Sequence, residues 1–398
     1  MRSRLFVATL LYVTATMLLL QSHKATTMLL QSMTMSGQDP GEQQMTKKLA
    51  LPPVWYEIEE GGITALRKAN EATFSMPDEE DWLLSKPYYN KEDHFQKHEQ
   101  LIPKYLHKVI ITSTGDFPDY FDSIVNATIT SDNDSPVKGS LAHAHVSWRK
   151  LNPGYVIRYF NLHLCREYLK QYYHPIFLRA FDCIEAFAGK NNLFRTLVVY
   201  REGGFYSDWK EECKIDNLLK QLSSENTTWF SAFDMPGGSD AMQNAFFGAL
   251  PGSPILAESI RLTLRNIQNR ADIKETHDVV RGPGVLGDAF YNVGRKLGWD
   301  LPSGKQRNGG WDRIPGVRLG DFMYRWGQRF MYNGTIIILH KCDSCQKDQN
   351  WNTGNNYNDK FAAGEYFCPD AESLFLPKEN NNQTVKVRRK IDNFSHDN

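Results

Sequence analysis

An α/β domain with a mainly parallel sheet is the fold that the 398-residue sequence predicts, and three observations predict it. Short β-branched runs, "HKVIIT" from His107 and "YVIRYF" from Tyr155, end in polar or turn residues, as a buried strand feeding a loop does. Longer segments between them carry helical apolar spacing. The order strand, helix, strand continues to Ser207, and such alternation marks parallel strands joined by crossover helices. Apolar residues make up 41% and aromatics 12%, which supports a large core and excludes wholesale disorder. Lys plus Arg equals Asp plus Glu at 46 each, so no overall field favours nucleic acid, and no nucleic-acid partner is expected.

The chain opens with Arg2 and Arg4 before an uncharged apolar run from Leu5 to Leu20. That run is a little short of the ~20 residues of a full membrane span and close to the ~7–15 of a signal-peptide core. No A-x-A-like cleavage site follows it, since His23 and Lys24 come next. Positive charge ahead of the run favours the N-terminus in the cytosol and the rest of the chain in a lumen. A short span also suits thinner early-secretory bilayers. The expectation is a signal anchor at residues 1–22 and a single-pass type II Golgi protein attached to the membrane, with a cleaved signal peptide and secretion as the alternative.

Two features agree with a lumenal address. N-x-S/T sequons occur at Asn126, Asn133, Asn226, Asn333, Asn382 and Asn393. Six cysteines, Cys165, Cys183, Cys213, Cys342, Cys345 and Cys368, allow up to three disulfides. Cys342-x-x-Cys345 lacks a second such pair, so in an oxidising compartment it reads as a disulfide rather than half a zinc site.

Residues 23–100 read as a stem and N-terminal extension. The stem is rich in Thr, Met, Gln and Ser, and a short helix is expected around "ITALRKANEATF". The globular domain is expected over residues 101–370, and a polar C-terminal tail over 371–398. Within the domain, "VSWRKLNPGYVIRYFN" gives a helix end, a turn at Pro153–Gly154 and a strand. "REYLKQYYHPIFLRAFDCIEAFAG" is helical with a break before Pro175.

The chemistry concentrates in "LFRTLVVYREGGFYSDWKEEC", Leu193 to Cys213. Leu193, Phe194, Leu197 and Val198 line one face of a helix. Gly203–Gly204 stops it, because glycine takes left-handed backbone at low cost. "FYS" is a short strand, and Asp208 falls at its carboxyl end, where open α/β sheets bind ligands.

These residues resemble glycosyltransferase family 32, the group of fungal initiating α-1,6-mannosyltransferases with a DXD sugar-binding region. Lys190, Leu193, Arg195, Gly203, Gly204, Tyr206 and Asp208 match its pattern K-x-D-L-x-R-Y-x-x-L-x-x-x-G-G-x-Y-x-D-x-D. "IPKYLHKVIIT", "SWRKLNPGYVIRYFN", "QNAFFGALPGSPIL", "RGPGVLGDAF" and "ILHKCDSCQKDQNWNTGNNY" resemble its other segments in order, over about Leu101 to Pro369. The resemblance implies a GT-A (Rossmann-like) domain. Its implied activity is retaining transfer of a hexose from a UDP- or GDP-sugar donor to a glycan or other glycoconjugate acceptor. A Mn2+ or Mg2+ cofactor would bridge the diphosphate, whose developing charge needs a cation.

Two positions depart from the pattern. Asn192 replaces an aspartate, and Lys210 replaces the second Asp of the triplet; an ammonium cannot ligate a metal. Three readings stay open: Asp208 ligates metal with Glu211 or Glu212 and His340, Lys210 itself neutralises the diphosphate, or the site binds without turning over. The catalytic candidates are Asp208, Lys210 and Asp234, the last on the acceptor side or capping a loop. The resemblance implies donor contacts for His107, Asn192, Arg195, Gly203, Gly204, Tyr206 and Trp351, and Asn244 is read as a binding residue lining the acceptor side. Each has a plainer alternative: core packing for His107, a salt bridge for Arg195, a helix cap for Asn244, packing for Trp351. Gly282–Pro283–Gly284 is read as a tight turn near the site, and "GNNYN", Gly354 to Asn358, as amides for hydroxyls or phosphate, or simply a turn.

Overall fold

The computed structural model describes residues 56–59, 62–63, 102–118, 121, 141–224, 226–234, 240–275, 280, 282–301, 313–323, 328–340 and 355–375. All belong to one compact unit, Leu51–Asn398. The apolar run at Leu5–Leu20, Trp351, Cys342 and Cys345 lie outside the described residues. Among the described residues no helix is long and apolar enough to cross a membrane.

The architecture is α/β. Its strands are β1 (Tyr56–Glu59), β2 (Gly62–Ile63), β3 (Tyr105–Val109), β4 (Val156–Phe160), β5 (Gly204–Ser207), β6 (Glu212–Cys213), β7 (Trp229–Phe233), β8 (Met242–Ala249), β9 (Val317–Met323), β10 (Arg329–Tyr332) and β11 (Thr335–Leu339). The helices that matter below are α1 (Leu141–Leu151), α2 (Leu162–Tyr172), α3 (Pro175–Cys183), α4 (Phe187–Glu202), α5 (Pro254–Gln268), α6 (Gly282–Lys296) and α7 (Tyr357–Ala362).

One sheet runs in the order β2-β1-β4-β3-β5-β8-β7-β9-β10-β11-β6. The expected mainly parallel sheet is corrected to a mixed one. Parallel pairing is confined to β3 with β4, β3 with β5, and β7 with β9. The cause lies in the connections. As far as β5 the strands alternate with helices, which allows parallel crossovers. Beyond β5, β7 and β8 pair antiparallel, and so do β9, β10 and β11 in succession. β5 itself lies antiparallel to β8, Gly204 opposite Ala249.

The helix α4 carries the sheet's most consequential packing. Leu193, Phe194, Leu197 and Val198 are all buried, as their spacing predicts. Helix α2 starts at a side-chain cap, Asn161 Oδ1 accepting the Leu164 amide, and α3 starts at Pro175, whose missing N–H suits a first turn. The break before Pro175 is therefore present. Gly282–Pro283–Gly284, read as a turn, is instead the first turn of α6, where proline is equally at home.

Of the cysteines described, Cys183 and Cys368 form a disulfide, while Cys165 and Cys213 are buried thiols. Burial pushes the Cys213 thiol up to about 11, so it stays protonated. The possible set of three disulfides is thus reduced: these two cysteines pair with nothing. Two sequon asparagines, Asn226 and Asn333, are exposed at turns with left-handed backbone, φ 68° and 47°.

Candidate functional site

Helix α4 ends at Gly203, with φ 67°, and Gly204 follows with φ 91°. At Gly204 a Cβ would lie 2.7 Å from the Tyr105 carbonyl oxygen, so glycine also lets β5 approach β3. From there β5 is buried throughout, and Asp208 emerges at its carboxyl end with its side chain 28% exposed. The Asp208 amide donates to the Ala245 carbonyl of β8 at 2.7 Å, so its backbone belongs to the sheet while its carboxylate faces outward.

That carboxylate is gripped by α4 and β5. The Tyr206 hydroxyl donates to Oδ1 at 2.6 Å, and Arg195 Nη2 lies 3.0 Å from the same oxygen. Arg195 is buried, stands over the Tyr206 ring at 4.4 Å, and donates through Nη1 to the Asn244 carbonyl at 2.7 Å. Burial first, opposed by Arg195, raises the Tyr206 phenol well above its ordinary value and keeps it a donor. Asn244 closes the group by donating its Nδ2 to Asn192 Oδ1 at 2.9 Å. Gly282 makes room for this amide pair, since a Cβ there would sit 1.8 Å from Asn244 Nδ2. Asn192, Arg195, Tyr206, Asp208 and Asn244 thus form one constellation from three elements. Asn244 lies in a strand and caps no helix.

Beneath it runs a buried charged network that the sequence reading missed. Lys108 of β3 is fully buried, and its Nζ donates to Ser207 Oγ and to the Asp208 carbonyl, each at 3.1 Å. The Ser207 hydroxyl lies 2.8 Å from Glu211 Oε2, and His340 Nδ1 lies 3.1 Å from Glu211 Oε1. Trp148 of α1 donates its indole N–H to the Glu211 carbonyl at 2.7 Å and lies under Lys108 Nζ. His340 follows β11 directly, at the strand end where it was expected.

Burial raises Glu211 to about 7, against the opposing pull of His340 and Lys108, and lowers Lys108 to about 8. The folded state therefore holds a proton on Glu211 that the unfolded chain releases above its ordinary value of 4.5. That contribution to stability is full below 4.5 and is lost as pH rises through about 7. Urea unfolding of the full chain at pH 5 and pH 7.5 is expected to show a loss on the order of 2 kcal/mol from this group. Glu211→Gln should remove that slope; an unchanged slope in the variant would exclude Glu211 as its source.

Other sequence candidates fall elsewhere. His107 is fully buried, with Nε2 2.9 Å from the Gly203 carbonyl, and burial lowers it to about 3, so it braces the glycine turn from within the core. Asp234 is buried and accepts from Gln243 Nε2 at 2.7 Å, inside the β7–β8 pair rather than on an open face. Lys210 is half-buried in the turn after Trp209. Of the expected metal ligands, Glu211 and His340 meet at 3.1 Å, with Glu211 fully buried and both its oxygens engaged, while Asp208 Oδ1 is held by Tyr206 and Arg195. Among the described residues no three His, Cys, Asp or Glu side chains are arranged to hold a cation. A small cavity of about 20 Å³, room for a water or two, adjoins Asn192 and Asn244 but is lined by none of Asp208, Lys210, Glu211 or His340.

The segment that contributes Asn192, Arg195, Tyr206 and Asp208 has known relatives. Residues 140–229 match a family model. It is the glycosyltransferase sugar-binding region containing a DXD motif. The matched segment runs from just ahead of α1 to the first residue of β7, and over that span the chain is similar to the family. Among solved structures, "PaToxG Glycosyltransferase" is similar at 16% identity over 51% of this chain and 82% of that one, with a TM-score of 0.29. That likeness is too distant to bear on the reading of this chain. No curated protein matches it.

Proposed function

We propose that this chain transfers a hexose from a UDP- or GDP-sugar donor to a glycan or glycoconjugate acceptor, with retention of configuration. The observation that carries the proposal is Asp208, presented at the carboxyl end of β5 by Tyr206 and Arg195 inside the matched glycosyltransferase region. A carboxylate fixed by two donors accepts sugar hydroxyls without reorganising, and the amides of Asn192 and Asn244 extend the same polar surface. Retention places no demand on a protein base, because the donor phosphate itself can take the acceptor proton. The burial of Asp234 under Gln243 is consistent with that economy.

Glycosyltransferases with a DXD region commonly bind a divalent cation, yet the described carboxylates do not form a cage for one. Lys210 stands where the second aspartate would, and we assign the charge opposite the leaving diphosphate to it. The exposed sequon asparagines Asn226 and Asn333 support a lumenal address, so we place the protein in the secretory pathway. The two departures Asn192 and Lys210 favour one rival, a silent module that binds a nucleotide or glycan without turnover.

A panel of UDP- and GDP-sugars, with and without Mn2+, separates the readings. Turnover of at least one donor by the full chain is expected without added metal. Lys210→Asp should then create a Mn2+ requirement, restoring activity only when metal is supplied. Nucleotide binding without hydrolysis or transfer of any donor would leave the silent module standing. A wild-type enzyme already dependent on Mn2+ and indifferent to Lys210→Asp would overturn the role given to Lys210.

A further inference from the structure

Helix α4 has no side-chain cap of its own, since Ala186 occupies its N-cap position. Its cap comes from far down the chain. Asn355 Oδ1 accepts the Phe187 amide at 2.7 Å, and Asn355 Nδ2 donates to the Glu185 carbonyl at 3.0 Å. The same segment returns to α4 with Tyr366, whose carbonyl accepts the Glu185 amide at 2.9 Å, and with Phe367, which bridges Ile184. The buried Tyr366 hydroxyl bonds the Asn192 side chain, and Gly189 makes room for it: a Cβ there would lie 2.4 Å from that oxygen.

The segment is anchored twice more. Cys368 is disulfide-bonded to Cys183 and donates its amide to the Cys183 carbonyl at 2.7 Å. Arg270 donates to the carbonyls of Gly364 and Pro369, while Asp272 accepts the Phe367 amide at 3.2 Å. Asn355–Cys368 therefore fixes the first turn of α4 and one of the two amides beside Asp208. Arg195 follows Asn192 by one turn on the same rigid rod.

We infer that Asn355 and Tyr366 are positioning residues for the sugar site: they seat α4, and with it Asn192, Arg195 and Asp208, while the Cys183–Cys368 disulfide holds them in place. Neither touches the constellation's carboxylate; both act through the helix. An unsatisfied first turn frays, and fraying at Phe187 loosens Asn192 before it loosens the buried middle of α4. The kinetic part of this inference rests on the sugar-transfer reading, whereas the structural part does not.

Hydrogen exchange and donor kinetics on the full chain test it together. Asn355→Ala is expected to speed exchange of the Phe187–Asn192 amides by roughly 5- to 30-fold and to raise the KM for donor more than it lowers kcat. Asn355→Asp keeps the oxygen that accepts the Phe187 amide but loses the donor to the Glu185 carbonyl, and should restore most of both effects. Tyr366→Phe, which removes only the hydroxyl, should leave the first turn near wild type and still raise KM. Reducing the disulfide should reproduce the exchange pattern of Asn355→Ala. Unchanged α4 exchange in Asn355→Ala, or faster exchange with a wild-type KM, would overturn the inference. If wild type turns over no donor, the sugar-transfer reading fails separately. Exchange at Phe205–Asp208 then decides alone, faster in Asn355→Ala if the coupling is real and unaltered if it is not.

Discussion

Asp208→Ala is expected to lower sugar transfer by about a hundredfold to a thousandfold, the usual cost of deleting one preorganised polar group at a reacting centre. The loss should appear in kcat/KM for the donor, measured by release of nucleoside diphosphate. Two buried donors then each lose one acceptor, the Tyr206 hydroxyl keeping Asn191 Oδ1 and the Arg195 guanidinium keeping the Asn244 carbonyl. Stability should fall as well, by about 1–3 kcal/mol. Asp208→Asn separates the two effects: it keeps an oxygen for Tyr206 and Arg195, so most stability should return while activity stays low. Turnover by Asp208→Ala within threefold of wild type would remove Asp208 from the site altogether.

Lys108→Met is expected to be the most damaging single change to the fold of the site. Its ammonium is the buried donor to Ser207 Oγ and to the Asp208 carbonyl, and its charge favours the ionised Glu211 carboxylate. Methionine fills the volume but leaves the Glu211 carboxyl to His340 and the Ser207 hydroxyl, without the lysine charge. Removing one partner of a buried charged pair costs about 3–5 kcal/mol, to be read from urea midpoints at pH 7. Adding Glu211→Gln should return part of that loss, because no uncompensated carboxyl then remains. Strict additivity of the two substitutions would show that they do not share a network.

The middle of the site was legible because its signals are local. Helical spacing from Leu193, a glycine pair and a short strand sufficed to place Asp208 at a strand's carboxyl end. Lys108 was not legible: every residue from Leu106 to Val109 is buried, so β3 shows no alternation to set an inward lysine apart. β8 is buried along its whole length, and nothing in such a run announces that it lies antiparallel to β5. Pro283 and its flanking glycines carried turn chemistry, yet a helix start uses the same residues. Asn355 reads in the sequence as an amide for hydroxyls or phosphate, or as part of a turn, since a cap supplied across the fold leaves no trace in local spacing.

The strand order has a mechanical corollary. Asp208 and its neighbours link β5, in the middle of the sheet, to β6 at its last edge. Six strand spacings across a flat sheet amount to roughly 29 Å, whereas the chain from Ser207 to Glu212 stretches at most about 19 Å. The sheet must therefore curl until its far margin comes back over its centre, and the acidic turn is the short tether across that curl. β6 is held there by pairing with β11, Cys213 against Ile338, and by α1, whose Ser147 hydroxyl accepts the Cys213 amide. The acidic turn therefore closes a span whose far end is fixed from both sides in sequence, by α1 before it and β11 after it.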